Sequence, residues 1–197
     1  MIWVYCKVLN VHGSILDFGV YHGALFFTWQ QLSALYEPYN HNRKVIGFDS
    51  LAGFSALGEF DVDADVRDLL LKKAGGMAYD GAHELREGIE LFDMNRPLGH
   101  VAKGVLVDGD LPGSCKRYLD EHQEAMVALA NFGLGLFEPT VELLQLIRPR
   151  LVKGNELVFE DVNQATWPGE TRALREVFPI GEFSLKRIPH CPHISWA

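Results

Sequence analysis

Short apolar runs alternate along the chain with longer stretches of helical period. "GSILDFGV" (13–20), "KVIGFDS" (44–50), "GVLVDGD" (104–110), "AMVALANFGL" (125–134) and "NELVFEDVN" (155–163) have strand length and end in Gly, Asp or Asn. Between them lie helical patterns. "GALFFTWQQLSALYEP" (23–38) stops at Pro38, and "AHELREGIELFDMN" (82–95) sets Leu85, Ile89 and Phe92 on one face. "SCKRYLDEHQ" (114–123) reads as a short polar helix, "PTVELLQLIRPRL" (139–151) as a helix with Pro139 near its first turn, and "GETRALREVF" (169–178) as a third. "FSLKRIP" (183–189) and "HISWA" (193–197) read as two final strands whose short link predicts an antiparallel hairpin at one edge. Strands separated by helices imply right-handed βαβ units and a mainly parallel sheet. Residues 52–80 lack a period and are expected to form a lid or an inserted short helix. Phe26, Phe27 and Trp29 are expected in the core.

At 197 residues the chain fits a single domain, 1–197, and its 48% apolar and 22% charged content is that of a globular protein. Its net charge is −8, from 18 basic and 26 acidic residues, which argues against a nucleic-acid partner. No apolar run reaches the roughly 18 residues needed to span a bilayer, and the opening "MIWVYCKVLNVHGSI" has neither a basic start nor a small-residue cleavage site. No membrane association is expected. Cys6, Cys115 and Cys191 are widely spaced, which fits reduced thiols and a cytoplasmic location. His190, Cys191 and His193 are better read as a strand edge than as a metal site.

In an open parallel sheet, ligands bind beyond the carboxyl ends of the strands. Asp17, Gly19 and Gly23 follow the first run, Asp49 the second, Asp108 and Asp110 the third, and Glu160, Asp161 and Asn163 the fifth. Gly19 permits a sharp turn and Gly23 a close helix approach, which suits a nucleotide-like ligand at a helix N-terminus. Asp49 offers two acceptor oxygens for ribose hydroxyls, and Asp110 suits an adenine amino group or a water. The spacing is not the G-x-G-x-x-G of a dinucleotide fold, which sets an NAD-type oxidoreductase below the other readings.

The acid-x-Gly-x-x-x-Gly order, the acid at strand two and the Gly-Asp after strand three are similar to those of class I S-adenosylmethionine-dependent methyltransferases. "FGVYHGALF", "KVIGFDSLAGF", "ELFDMNRPLGH", "LFEPTVELLQLIRPRLVKG" and "ATWPGETRAL" together resemble the macrocin O-methyltransferase (TylF) family, over most of the chain from about Gly13. The resemblance implies a three-layer, Rossmann-like fold with a mainly parallel seven-stranded sheet and an antiparallel C-terminal edge. It implies O-methylation of a small hydroxylated acceptor, often a sugar of a secondary metabolite. That family carries a longer N-terminal region before its first strand, so a segment for oligomerisation or a lid is expected to be missing here. A homo-oligomer is expected.

On the same resemblance the cofactor-binding residues are Asp17, Phe18, Gly19, Val20, Gly23, Asp49, Ser50 and Asp110. The family's Mg2+ site uses an acid at the end of strand four and an acidic pair after strand five. The pair is present as Glu160 and Asp161, the implied metal ligands. Gly133 and Gly135, in "NFGLGLFEPT", stand where the strand-four acids are expected, which leaves Mg2+ two protein carboxylates.

Methyl transfer needs the acceptor oxygen, methyl carbon and sulfur held in line, with a base for a neutral hydroxyl. Asp161, Glu160 and His100 are the catalytic candidates, and His22 and His83 are further histidines of suitable basicity. Trp167 either faces the substrate or simply sits in the loop before a helix whose dipole favours Glu170. The alternative is a non-catalytic S-adenosylmethionine-binding relative with a degraded metal site.

Overall fold

The computed structural model describes residues 1–61, 72–179, 181 and 184–197. The elements in chain order are α1 (Ile2–Val8), β1 (Ser14–Phe18), α2 (Ala24–Tyr36), β2 (Val45–Asp49), α3 (Ala82–Met94), β3 (Gly104–Asp108), α4 (Leu111–Glu121), β4 (Val127–Phe132), α5 (Phe137–Ile147), β5 (Leu151–Phe159), α6 (Gly169–Val177), β6 (Lys186–Ile188) and β7 (Cys191–Trp196). They build one seven-stranded sheet in the order β3-β2-β1-β4-β5-β7-β6. Neighbours among the first five strands run parallel, whereas β7 is antiparallel to both β5 and β6. The expected mainly parallel sheet with an antiparallel C-terminal edge is the observed one.

Period-two alternation divides the core between the two faces. Leu16, Phe18, Ile46, Phe48, Ala130 and Phe132 pack with α4, α5 and α6 through Cys115, Leu119, Leu143, Leu144, Ile147 and Leu174. Ile15, Val45, Leu129 and Val158 face α1, α2 and α3 through Val4, Tyr5, Val8, Phe26, Trp29 and Leu85. Phe26 and Trp29 are fully buried, as expected of core. The helix Ile2–Val8, with Val4, Tyr5 and Val8 buried, is absent from the sequence reading, and β5 begins at Leu151, four residues before the predicted run. Within the irregular 52–80 segment, 62–71 lie outside the described residues, and the described flanks are turns and bends with no regular helix.

One row of rings sets the site. Phe48, Phe18, Phe132 and Phe159 lie in register on β2, β1, β4 and β5, with successive centroids 5.2, 5.1 and 5.1 Å apart. Phe18, Phe132 and Phe159 are the last residues of their strands and Phe48 the last but one of β2, and the next residues are Gly19, Gly133, Glu160 and Asp49. A buried aromatic floor therefore fixes the height at which the polar strand ends emerge.

Candidate functional site

Two cavities lie above that floor at the carboxyl ends of the strands. One, of about 120 Å3, is lined by Asp49, Ser50, Phe54, Asp110, Leu111 and Pro139, among others. The other, of about 280 Å3, is lined by His22, Leu25, Gly135, Glu160, Asp161 and Trp167, among others. Gly19, Tyr21, Phe54, Met77, Gly133 and Leu134 are common to both. Such adjoining clefts are where small-molecule sites form in this architecture. A larger cavity, about 920 Å3, lies at the opposite end of the sheet among Gly13, Lys44, Val101 and Met126. It holds no strand-end acid.

The first loop is shaped by Asp49. Its Oδ2 accepts the Tyr21 N–H at 2.7 Å and its Oδ1 the Leu51 N–H at 2.7 Å. Tyr21 and Leu51 have φ of +49° and +56°, a region that side chains disfavour. One carboxylate thus pins two left-handed residues, one after each of β1 and β2. Each oxygen keeps a further lone pair for a ligand. Gly19 turns at φ +90°, where a Cβ would strike the Gly133 carbonyl oxygen, so only glycine lets β1 and β4 close up there. Ser50 donates to the Gly53 carbonyl at 3.2 Å, and Asp110 is an exposed residue at the start of α4.

The second cavity gathers acids. Glu160 is half-buried, and burial pushes its carboxyl up to about 7. Its Oε1 accepts the Asn131 Nδ2 amide at 2.9 Å, and the same Nδ2 donates to Asp17 Oδ1 at 2.7 Å. Asp17 is 1% exposed, and burial, with the neighbouring Glu160 charge, raises its carboxyl well above the usual range. Asp161 is also raised by burial, while His193 and Lys72 pull the other way. Trp167 packs over Gly135, against Phe54 at 5.6 Å between ring centroids, and beneath the Lys72 ammonium at 4.2 Å.

Glu170, expected only to favour a helix dipole, is completely buried and holds three backbone amides. Its Oε1 accepts Leu134 N–H at 3.0 Å and Gly135 N–H at 2.9 Å, and its Oε2 accepts Asp161 N–H at 2.9 Å. Burial raises its carboxyl, with the Asp161 charge adding to the rise. Asn131 and Glu170 had no sequence signal beyond being polar in apolar surroundings.

Of the expected site residues, Gly19, Val20, Asp49, Ser50, Asp110, Glu160 and Asp161 line one or both cavities. The side chain of Phe18 lies in the core, Asp17 is buried beneath the loop, and Gly23 starts α2 with φ +82°. His100 is not brought to the site. It is exposed and precedes the amino end of β3, next to Val101 of the far cavity, because the loop before a parallel strand emerges at the end opposite to the loop after it. His83 lines neither cavity; it is exposed on the first turn of α3, 3.5 Å from Glu87. His22 is at the rim, its ring 4.0 Å from those of Tyr21 and Tyr79.

The described residues do not supply the three-acid Mg2+ site that the resemblance implies. A hard cation needs several oxygen ligands in octahedral array. Among the described residues no group of three His, Cys, Asp or Glu side chains is placed to hold a metal. A Cβ on Gly133 would collide with Glu160 Oε1 and lie 2.9 Å from its Cδ, and a Cβ on Gly135 would lie 2.7 Å from Trp167 Cε3. The space of the two expected acids is filled by Glu160 and Trp167.

No family model and no curated protein matches the chain. Solved structures do. A crystal structure of the calicheamicin methyltransferase CalS11 is 36% identical with a TM-score of 0.89, covering 98% of this chain and 75% of that one. An apo structure of CalS11, described as a TDP-rhamnose 3′-O-methyltransferase of calicheamicin biosynthesis, is 34% identical with a TM-score of 0.81 over the same shares. The O-methyltransferase NovP shares the fold at 18% identity and a TM-score of 0.71, over 99% of this chain and 76% of its own. The strand order, the adjoining cavities and this similarity agree: the chain belongs to the class I S-adenosylmethionine-dependent methyltransferases, in the family of CalS11.

Proposed function

We propose that this methyltransferase acts on a hydroxyl of a small molecule, a sugar of a secondary metabolite, as the macrocin O-methyltransferase (TylF) group does. The observation that carries this reading is the shared wall: a cavity with Asp49, Ser50 and Asp110 and a cavity with Glu160, Asp161 and Trp167 meet at Gly19 and Gly133. The first cavity suits the methyl donor. Asp49 is assigned to the ribose hydroxyls, Asp110 to the adenine side, and the Gly19 turn to close backbone approach. S-adenosylmethionine supplies an electrophilic methyl on a sulfonium sulfur.

The second cavity suits the acceptor. Trp167, Tyr21 and His22 line it with aromatic side chains, which suit the apolar surface of a sugar ring. Glu160 is assigned as the base that takes the hydroxyl proton, since a carboxyl near 7 is matched to a base working at neutral pH. Asp161 is assigned to orient the acceptor. Absence of a side chain at Gly133 leaves room for the Glu160 carboxyl beside the wall that the two cavities share.

CalS11 is described as acting on TDP-rhamnose. The test is therefore S-adenosylhomocysteine formation with TDP-linked deoxysugars that carry a free 3-hydroxyl, set beside phenolic acceptors. Turnover on a nucleotide sugar is expected. The glycines at 133 and 135 favour a second reading, a cofactor-binding relative without catalysis. Cofactor binding with no turnover on any acceptor would establish that one.

A further inference from the structure

We propose that this active site works without a divalent cation, and that a side-chain chain, Asp17–Asn131–Glu160, does the holding that a cation would otherwise do. The inference rests on the acceptor-site reading above. Asn131 is the last residue but one of β4, fully buried, in register with Asp17 on β1 and Val158 on β5. Its Nδ2 donates one hydrogen to Asp17 Oδ1 (2.7 Å) and the other to Glu160 Oε1 (2.9 Å). Both hydrogens of that amide are thereby committed, one to each acid.

The rest of the cluster explains why the amide points this way. Within this cluster two buried atoms have no hydrogen-bond partner, Asp17 Oδ2 and Asn131 Oδ1, and they belong to the pair already joined at its other side. Orphaned buried polar atoms are costly, about 1–3 kcal/mol each. A proton on Asp17 Oδ2, directed at Asn131 Oδ1, closes a cyclic acid–amide pair and satisfies both. The burial of Asp17 favours that neutral form. Asn131 is then locked in one orientation, with its second hydrogen directed at Glu160. The Glu160 carboxyl lies over Gly133, where a Cβ would collide with its Oε1 as placed.

Among the described residues, the neighbouring acids Glu170 and Asp161 are engaged elsewhere. Glu170 is tied to three backbone amides, and Asp161 Oδ1 accepts the Gln164 side-chain amide at 3.0 Å. No third carboxylate faces Glu160 and Asp161 from β4. In the reaction the acceptor oxygen forms its bond to the methyl carbon, the carbon–sulfur bond breaks with its electron pair going to sulfur, and the hydroxyl proton passes to Glu160.

The test uses Mn2+ as the probe. Wild-type protein at millimolar concentration is titrated with Mn2+ by electron paramagnetic resonance, and the Asn131 side-chain amide peaks are followed by NMR. The expected result is no loss of the free-ion signal and no paramagnetic broadening of the Asn131 peaks. Saturable Mn2+ uptake that Glu160→Gln abolishes, or selective broadening of those peaks, overturns the proposal. S-adenosylhomocysteine binding is measured by calorimetry in the same samples, with EDTA and with Mg2+. Equal affinity in both buffers is expected, and a dependence on Mg2+ overturns the proposal. Absence of cofactor binding in both buffers refutes the acceptor-site reading instead, and the Mn2+ result judges the metal question separately.

Discussion

Glu160 carries opposing demands on a single carboxyl. Burial favours its neutral form, while the Asn131 amide favours the carboxylate, and burial wins, so its carboxyl stands at about 7 against an ordinary value near 4.5. The sign of the linked stability follows. Below about pH 4.5 the carboxyl is protonated in both folded and unfolded chains. Between about 4.5 and 7 the folded state holds the proton and the unfolded state has lost it, so stability falls as pH rises. Above 7 the effect is complete. After a discount for its partial exposure, the fall is roughly 1–3 kcal/mol. Urea denaturation from pH 4.5 to 7.5 should show wild type losing that much relative to Glu160→Gln. A constant difference between the two would remove the buried-acid assignment.

The ends of β4 and β5 and the start of α6 are joined by Glu170. It draws Leu134, Gly135 and Asp161 together through their amides, so the backbone that carries both glycines is set by a residue more than thirty positions away. Glu170→Ala leaves three buried donors unpaired. The expected cost is roughly 2–5 kcal/mol, seen as a fall in Tm of about 5–15 °C in a domain of this size. A change below about 2 °C would show that the three amides find other partners.

This contact also shows where sequence reading stopped. The strands were legible because their apolar runs end in Gly or Asp, and the helices because their period is clear. The start of β5 was not, since "LVKG" interrupts the apolar run with Lys153 and Gly154, both exposed. The N-terminal helix was hidden by its length of seven residues, too short for a period to declare itself. At the site, Asp49, Glu160 and Asp161 were legible because they follow strands directly. Asn131 and Glu170 were not, because their meaning lies in partners 114 and 36 positions distant. The repeated order of Phe followed by Gly, Asp or Glu at four strand ends was a usable signal, and it marks the aromatic floor.

At the scale of the whole molecule, the sheet sorts functions by end. Strand polarity delivers Gly19, Asp49, Asp110, Gly133 and Glu160 to one end, and Gly13, Lys44, His100 and Met126 to the other. Among the described residues no helix is long and apolar enough to cross a membrane. On the proposed function the methyl donor occupies the carboxyl end, against Asp49. Calorimetric titration of S-adenosylhomocysteine into wild type, Asp49→Ala and His100→Ala tests it directly. One-site binding to wild type is predicted, unchanged in His100→Ala and weakened roughly 10- to 150-fold in Asp49→Ala, as loss of a charge-assisted contact implies. Equal affinity in wild type and Asp49→Ala, or no binding to wild type at all, would contradict it.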